Sequence, residues 1–425
     1  MAILGSLSIA RSGLVATGEA LGVTSNNIAN VNTTAFKGGR SEFADLVAAH
    51  GSRGSEGIGT RLADVSTSFA QGGIESTGRA TDLAIQGDGF FVVRNGEDFL
   101  YTRAGNFHLD ASQTLVTGRG DAVQGFELDA SGQPIGAPVD IDFGGATSQP
   151  QPTANVQLAS NLDASAPLID GGFDGTTFDT AYATSNFSVP ARVYDSLGVG
   201  HTVTFFFTRT DANAWDVNVA VDAGEAGGTA GEIQSIGTAS LTFNPDGSLA
   251  GPDPTDLTVT FNGADEQTIT VDFGTPNTDA TPGAGLDGLT QFGSPSNASA
   301  TADGFAAGQL ATIAVDGDGV VTGVFDNGQT RQLYRVALAD FPSTQGLVQL
   351  GDGLFQATSE SGSAAISTAG AGGPGRIVGE SIERSNVDLA QEFVDLISLQ
   401  RSFQANARVI TTGDAVLNEL INIVR

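Results

Sequence analysis

Large apolar residues recur every seven positions at both ends of this 425-residue sequence. Leu7, Leu14, Leu21 and Ile28 mark the stripe at the amino end; Leu389, Leu396, Phe403, Ile410, Leu417 and Val424 mark a longer one at the carboxyl end. A seven-residue period is the seam of paired helices, not the broad apolar face of a globular helix. Phe393, Ala407 and Ile421 fill part of a second stripe, which Gln400 and Asp414 interrupt. Ser385 or Asn386 is the expected cap of the carboxyl-end helix, with Asp388 in its first turn. At the amino end Gly13, Gly18 and Gly22 each cost about 1 kcal/mol relative to alanine. Seams this thin are not expected to order so much backbone unaided. Each end needs a partner, most economically the other end and then neighbouring copies.

The amino-end helix has an unusual exit. "NNIANVNTTAFK", residues 26–37, places Asn26, Asn27, Asn30 and Asn32 within seven positions, followed by Phe36. Asparagine is a poor mid-helix residue and a good terminator, because its amide competes for nearby backbone groups.

Between the ends the period is two. Val203, Phe205 and Phe207 share one strand face, as do Trp215, Val217, Val219 and Val221, with the polar "RTDANA" between them as a hairpin loop. Leu257, Val259 and Phe261 repeat the scheme, then a turn at Asn262-Gly263, then Ile269, Val271 and Phe273. "FFVVRNGEDFLYT" and "VVTGVFDNGQTRQLY" each carry a strand, Asn-Gly, strand signature. Glycine is abundant at 58 residues, which fits many short strands joined by tight turns. Connectors fall at "GSRGSEGIGT", "SQPQPT" and "SGSAAISTAGAGGPGR".

The net charge of −30 argues against a nucleic-acid partner. No apolar run is long enough for membrane insertion. With no cysteine, thiol catalysis, disulfides and cysteine-ligated metals are excluded. The start lacks a basic region before its apolar patch and does not read as a cleaved signal peptide. His50, His108 and His201 make no metal spacing, and "DGDGVV" at 316 begins like a calcium loop but has Val320 and Asn327 where ligands belong. "GAGLDG" (283–288) lacks the strand and helix of a dinucleotide site, and Arg119-Gly120-Asp121 is a chance adhesion tripeptide. No set of residues assembles into a catalytic centre, so the expectation is a non-enzyme with no cofactor and no metal.

The nested order of helix, β, more β, β and helix resembles the bacterial flagellar axial family of rod and hook subunits. The resemblance rests on "SGLVATGEALGVTSNNIANVNTTAFK" (12–37), "LAIQGDGFFVV" (83–93), "YTRAGNFHLD" (101–110), "VQGF" (123–126) and the carboxyl-end "SNVDLAQEFVDLISLQRSFQANARVITTGDAVLNELINI". "VYDSLGVGHTVTFFF", "LTQFGSPSNASATADGFAAGQL" and "LADFPSTQGLVQLGDGLFQATSESG" point to the hook branch of that family. Ala35 departs from the family motif, which usually has glycine there.

The fold expected is multidomain α+β: paired, coiled-coil-like terminal helices with nested, mainly antiparallel β domains inserted between them. Residues 1–33 and 383–425 are assigned to the helical polymer core, and 34–75 with 361–382 to an irregular connector. Residues 76–149 with 303–360 are assigned to an inner β domain, and 150–302 to an outer one. The resemblance implies a structural subunit polymerising into a flexible curved tube, a universal joint passing torque from rod to filament. The stripe residues named above would form the polymer interface, and the asparagines and Phe36 the helix exit. Implied partners are other copies of the chain, the distal rod, hook cap and hook–filament junction proteins, and the flagellar type III export apparatus. The implied location is extracellular, on the flagellum, reached without a cleaved signal. A straight distal rod subunit and a secreted β-rich adhesin or carbohydrate-binding protein are the alternatives; neither explains both the large middle insertion and the terminal stripes.

Overall fold

The computed structural model describes residues 2–49, 55–129, 131–169, 171–252, 254–279, 281, 284–370 and 373–423. The chain divides into two compact units, residues 1–146 with 311–324 and 330–425, and residues 147–310 with 325–329.

In the first unit the stripes at the chain ends become helices α1 (Ala2–Ala29) and, after the short helix α2 of the second unit (Phe178–Ala183), α3 (Leu389–Ile423). Asp388 starts α3: its Oδ1 accepts from the amides of Ala390 at 2.8 Å and Gln391 at 3.3 Å. That corrects the expected cap at Ser385 or Asn386. A carboxylate directly before the first helical residue satisfies free amides and meets the positive end of the helix dipole. Asn386 instead accepts from Gly38 N at 2.9 Å and donates to the carbonyls of Ser68 and Ala70, tying the start of α3 to the connector.

After α1 a long hairpin follows, β1 (Gly39–Ala49) and β2 (Ser55–Thr67), antiparallel with two register shifts. A sheet then joins chain segments far apart in sequence. Strand 330–340 pairs with 122–128 through Tyr334↔Glu127 and Val336↔Gly125, and with 90–95 through Leu338↔Phe91. Phe90, Val92, Tyr101, Ala337, Ala339, Phe341 and Phe355 form its core, with Phe90 and Phe341 in edge contact at 5.8 Å.

The second unit is a β structure of two five-stranded sheets sharing one core. Every residue assigned above to the alternating faces, from Val203 to Phe273, lies in that core, beside Val156, Leu158 and Leu289. One sheet is wholly antiparallel. In the other, strand 155–163 runs parallel to 266–272 and 289–292 and antiparallel to 297–302. The "RTDANA" loop is shorter than expected, because Arg209 and Thr210 extend the strand and only Ala212 and Asn213 turn. Phe206 points away from the shared core and is covered by Ala181 of α2. The start of α2 is a capping box of Thr177 and Thr180.

One turn recurs through both units. Asp110, Asp129, Asp195 and Asp316 each accept, through one carboxylate oxygen, from the amides two and four residues on. The residue at the fourth position takes a positive φ: Gln113 (66°), Gly132 (74°), Gly198 (80°) and Gly319 (78°). The strand-to-strand link is therefore closed by a carboxylate and, in three of these four turns, released by glycine. The calcium-like stretch at 316 is one of these turns.

Candidate assembly surface

Helices α1 and α3 pack antiparallel. A Cβ on Gly13 would meet Asn406 at 2.7 Å and one on Gly413 would meet Leu7 at 2.6 Å, while Asn27 Nδ2 donates to Glu392 Oε1 at 2.9 Å. On α3 the half-buried positions are Glu392, Leu396, Leu399, Phe403, Asn406, Ala407, Ile410, Gly413 and Leu417. Leu396, Phe403, Ile410 and Leu417 of the long stripe therefore turn inward. Leu389 and Phe393 are exposed, and Val424 lies outside the described residues, as does the side chain of Ile421.

On α1 the stripe Leu7, Leu14, Leu21 and Ile28 is half-buried. The fully buried face lies beside it and is made of small residues: Ala10, Gly13, Thr17, Ala20, Thr24 and Asn27. Its spacing of three and four residues was visible in the sequence, but small side chains weigh little in a reading guided by bulk. Their role is steric. Where Gly13 has no side chain, Asn406 fills the space, so the two backbones come close. Ser12 Oγ accepts from Thr60 N at 3.1 Å, fastening the same helix to β2.

The asparagines divide their work. Asn27 is buried and holds both the amide (2.9 Å) and the carbonyl (2.8 Å) of Gly39, in addition to Glu392. Asn30 ends the helix: its amide nitrogen and side chain bond back to Asn26, and its Oδ1 accepts from Thr33 Oγ1. Asn26 and Asn32 are exposed. Phe36 is half-buried, and its carbonyl accepts from Asn386 N at 3.2 Å. Ala35 is buried at a φ of 52°, the left-handed conformation for which glycine is better suited.

Next to this exit lies a buried ion cluster that no sequence motif announces. Lys37, the sole lysine of the chain, places Nζ 2.6 Å from Glu383 Oε1 and 2.9 Å from Ala70 O, with both charged side chains fully buried. Glu383 Oε1 also accepts from Gly72 N at 2.8 Å, and Arg103, itself buried, approaches Glu383 Oε2 at 3.7 Å. Burial lowers the Lys37 pKa, against the opposing hydrogen bond and charge of Glu383. Burial likewise raises that of Glu392, against the Asn27 hydrogen bond and with help from Asp395.

Other candidates are absorbed by the fold. Asp121 of the Arg-Gly-Asp tripeptide is buried. His50 lies outside the described residues, His108 is exposed, and His201 sits between Asp195 and Glu225 at 3.2 and 2.8 Å. Among the described residues no helix is long and apolar enough to cross a membrane. No group of three or more His, Asp or Glu among them is placed to hold a metal.

Among the described residues, large apolar side chains also remain exposed. Phe393, Val394 and Ile397 of α3 are 51, 60 and 49% exposed, with Val409 and Val416 further along. On the hairpin, Phe43, Val47, Ile58 and Val65 are exposed as well. Contiguous exposed apolar side chains on long helices mark an interaction surface.

Four family models match in chain order. Residues 7–37 match a model described as flagella basal body rod protein, and residues 84–161 the flagellar hook protein FlgE/F/G D1 domain. Residues 161–305 match the flagellar basal body protein FlaE D2 domain, and residues 378–423 the flagellar basal body rod FlgEFG protein C-terminal. Over 429 residues the chain is 34% identical to the flagellar hook protein FlgE of Salmonella typhimurium, covering 98% of this chain and 100% of that one. It is 34% identical over 444 residues to the flagellar hook protein FlgE of Borreliella burgdorferi, covering 94% and 95%.

Proposed function

The chain belongs to the flagellar hook protein family, and from its membership as a structural hook subunit we propose that it polymerises through α1 and α3 into a flexible curved tube. The tube acts as a universal joint that passes torque from rod to filament, with the terminal helices lining its inner layer as a coiled-coil-like seam. The chain is no enzyme in this reading; its relatives are structural proteins. Its partners are its own copies, the distal rod, the hook cap, the hook–filament junction proteins and the type III export apparatus through which it reaches the cell exterior.

The supporting observation is the exposed apolar stripe of α3. With Leu396, Phe403, Ile410 and Leu417 facing α1, Phe393, Val394 and Ile397 on other sides of the helix still lack cover, as does Leu389 at its start. A second helical layer from neighbouring copies supplies it. Electron microscopy of the assembled full-length chain tests the reading. Curved tubes are expected; straight, rigid tubes would favour a distal rod subunit, and soluble monomers with glycan affinity would favour an adhesin.

A further inference from the structure

A groove of about 650 Å³ opens where α1, β1 and α3 meet, lined by Thr24, Arg40 and Phe43 on one side and Asp388, Glu392 and Asp395 on the other. Glu392 is already engaged by Asn27. Asp388, the cap of α3, and Asp395, in its second turn, are exposed, stand seven residues apart, and make no ion pair among the described residues. Further along the same helix Arg401 and Arg408 are exposed, also seven residues apart, and likewise form no ion pair among the described residues. Each arginine follows its aspartate by thirteen residues, about 20 Å of helix rise.

Two acids and two bases with equal spacing and a common offset are complementary between copies, not within one. We propose that the groove receives the middle of α3 from a second copy of this chain, lying parallel and displaced by about 20 Å. Arg401 and Arg408 of the second copy then meet Asp388 and Asp395 of the first. This rests on the reading that the chain polymerises, and it names the contact that sets the axial step. The contact is heterologous, since the acidic groove and the basic stripe are different surfaces of the same molecule. A heterologous contact with an axial step of about 20 Å cannot close into a ring and so generates a filament. The exposed ring of Phe43, in the wall of the groove, is covered by the same approach. The aspartates also have local roles that constrain the test: Asp388 caps α3, and Asp395 accepts from Gln391 Nε2 at 3.2 Å.

The test uses full-length Asp395→Arg and Arg408→Asp chains, separately and mixed in equal amounts, under conditions in which the unaltered chain forms tubes. Circular dichroism first establishes that each variant keeps the helix content of the parent. Each variant alone is expected to yield at least tenfold less sedimentable polymer, because like charges then face each other. The mixture is expected to recover most of it, because each variant's altered surface complements the other's. Asp388→Asn, which keeps an acceptor for the cap, is expected to make assembly more sensitive to salt without loss of helix. Assembly of either charge-reversed chain at the parental level would overturn the proposal. So would a folded mixture no better than its separate components. If the unaltered chain itself forms no tubes, it is the polymer reading that fails.

Discussion

Glu383→Gln is the sharpest test of how the helix exit is held. The substitution keeps the shape and an acceptor for Gly72 N, but removes the one carboxylate that faces Lys37 and Arg103 in the buried cluster. Lys37 then keeps the Ala70 carbonyl and the introduced amide oxygen as its nearest compensation, and Arg103 the charges of Asp88 and Asp340. Removing one partner of a buried pair costs about 3–5 kcal/mol, because the remaining charge is uncompensated. For a unit of this size that corresponds to a fall in Tm of about 6–20 °C. The loss should carry a pH signature. In the native protein the Lys37 pKa lies below its ordinary 10.5 because burial outweighs the attraction of Glu383. Between the native value and 10.5 the unfolded chain binds more protons than the folded one, so this group makes stability rise with pH across that window. Without Glu383 the native value falls further, the window widens, and alkaline solution should restore part of the loss. Calorimetry from pH 7 to 10 reads both effects, with the second unit's transition as an internal control. A cost below about 1 kcal/mol, well short of the uncompensated-charge range, would refute the argument, as would a larger cost that does not change with pH.

Three further outcomes follow from particular residues. Ala35→Gly should stabilise the first unit by about 0.5–1 kcal/mol, the relief of a left-handed alanine less the added chain entropy of glycine; a urea midpoint that falls would contradict it. Acid should weaken the second unit selectively. Asp163, Asp174, Asp246 and Asp287 are held below the ordinary carboxylate pKa, first by hydroxyl donation from Ser165, Thr176, Ser248 and Thr275 and then by amides of the same residues. Their stabilisation is complete above the unfolded value near 3.8 and is lost as pH falls through the lowered native values, which fluorescence of the sole tryptophan, Trp215 in that unit's core, should follow. Finally, the strands leading into and out of the second unit pair as Thr147↔Gln309 and Ser148↔Gly308, so a short turn can replace what lies between them. The shortened chain should still form tubes, with altered curvature or stiffness; electron micrographs showing none, despite export and a folded remainder, would count against it.

The strands were legible because burial on one face of a sheet imposes strict alternation, and Trp215, Phe205, Val259 and Ile269 obey it. The helices were legible as elements and less so as surfaces. The leucine stripe of α1 drew attention by size, while its closest packing runs through Gly13, Thr17 and Ala20, whose contribution is the absence of bulk. The short helix α2 escaped notice since its Thr177–Thr180 box sits in a threonine- and phenylalanine-rich stretch that reads equally well as strand. Nothing local could have paired Lys37 with Glu383, 346 positions away. A buried ion pair leaves no periodic trace.

The scarcity of lysine has a practical edge. Apart from the terminal α-amine, the chain offers acylating reagents one primary amine, and it is sealed at 0% exposure against Glu383. The rate at which that nitrogen is modified therefore measures how often the junction between α1 and the connector opens. One mass increment on one residue becomes a clock for local breathing, readable in free subunits and in assembled tubes alike.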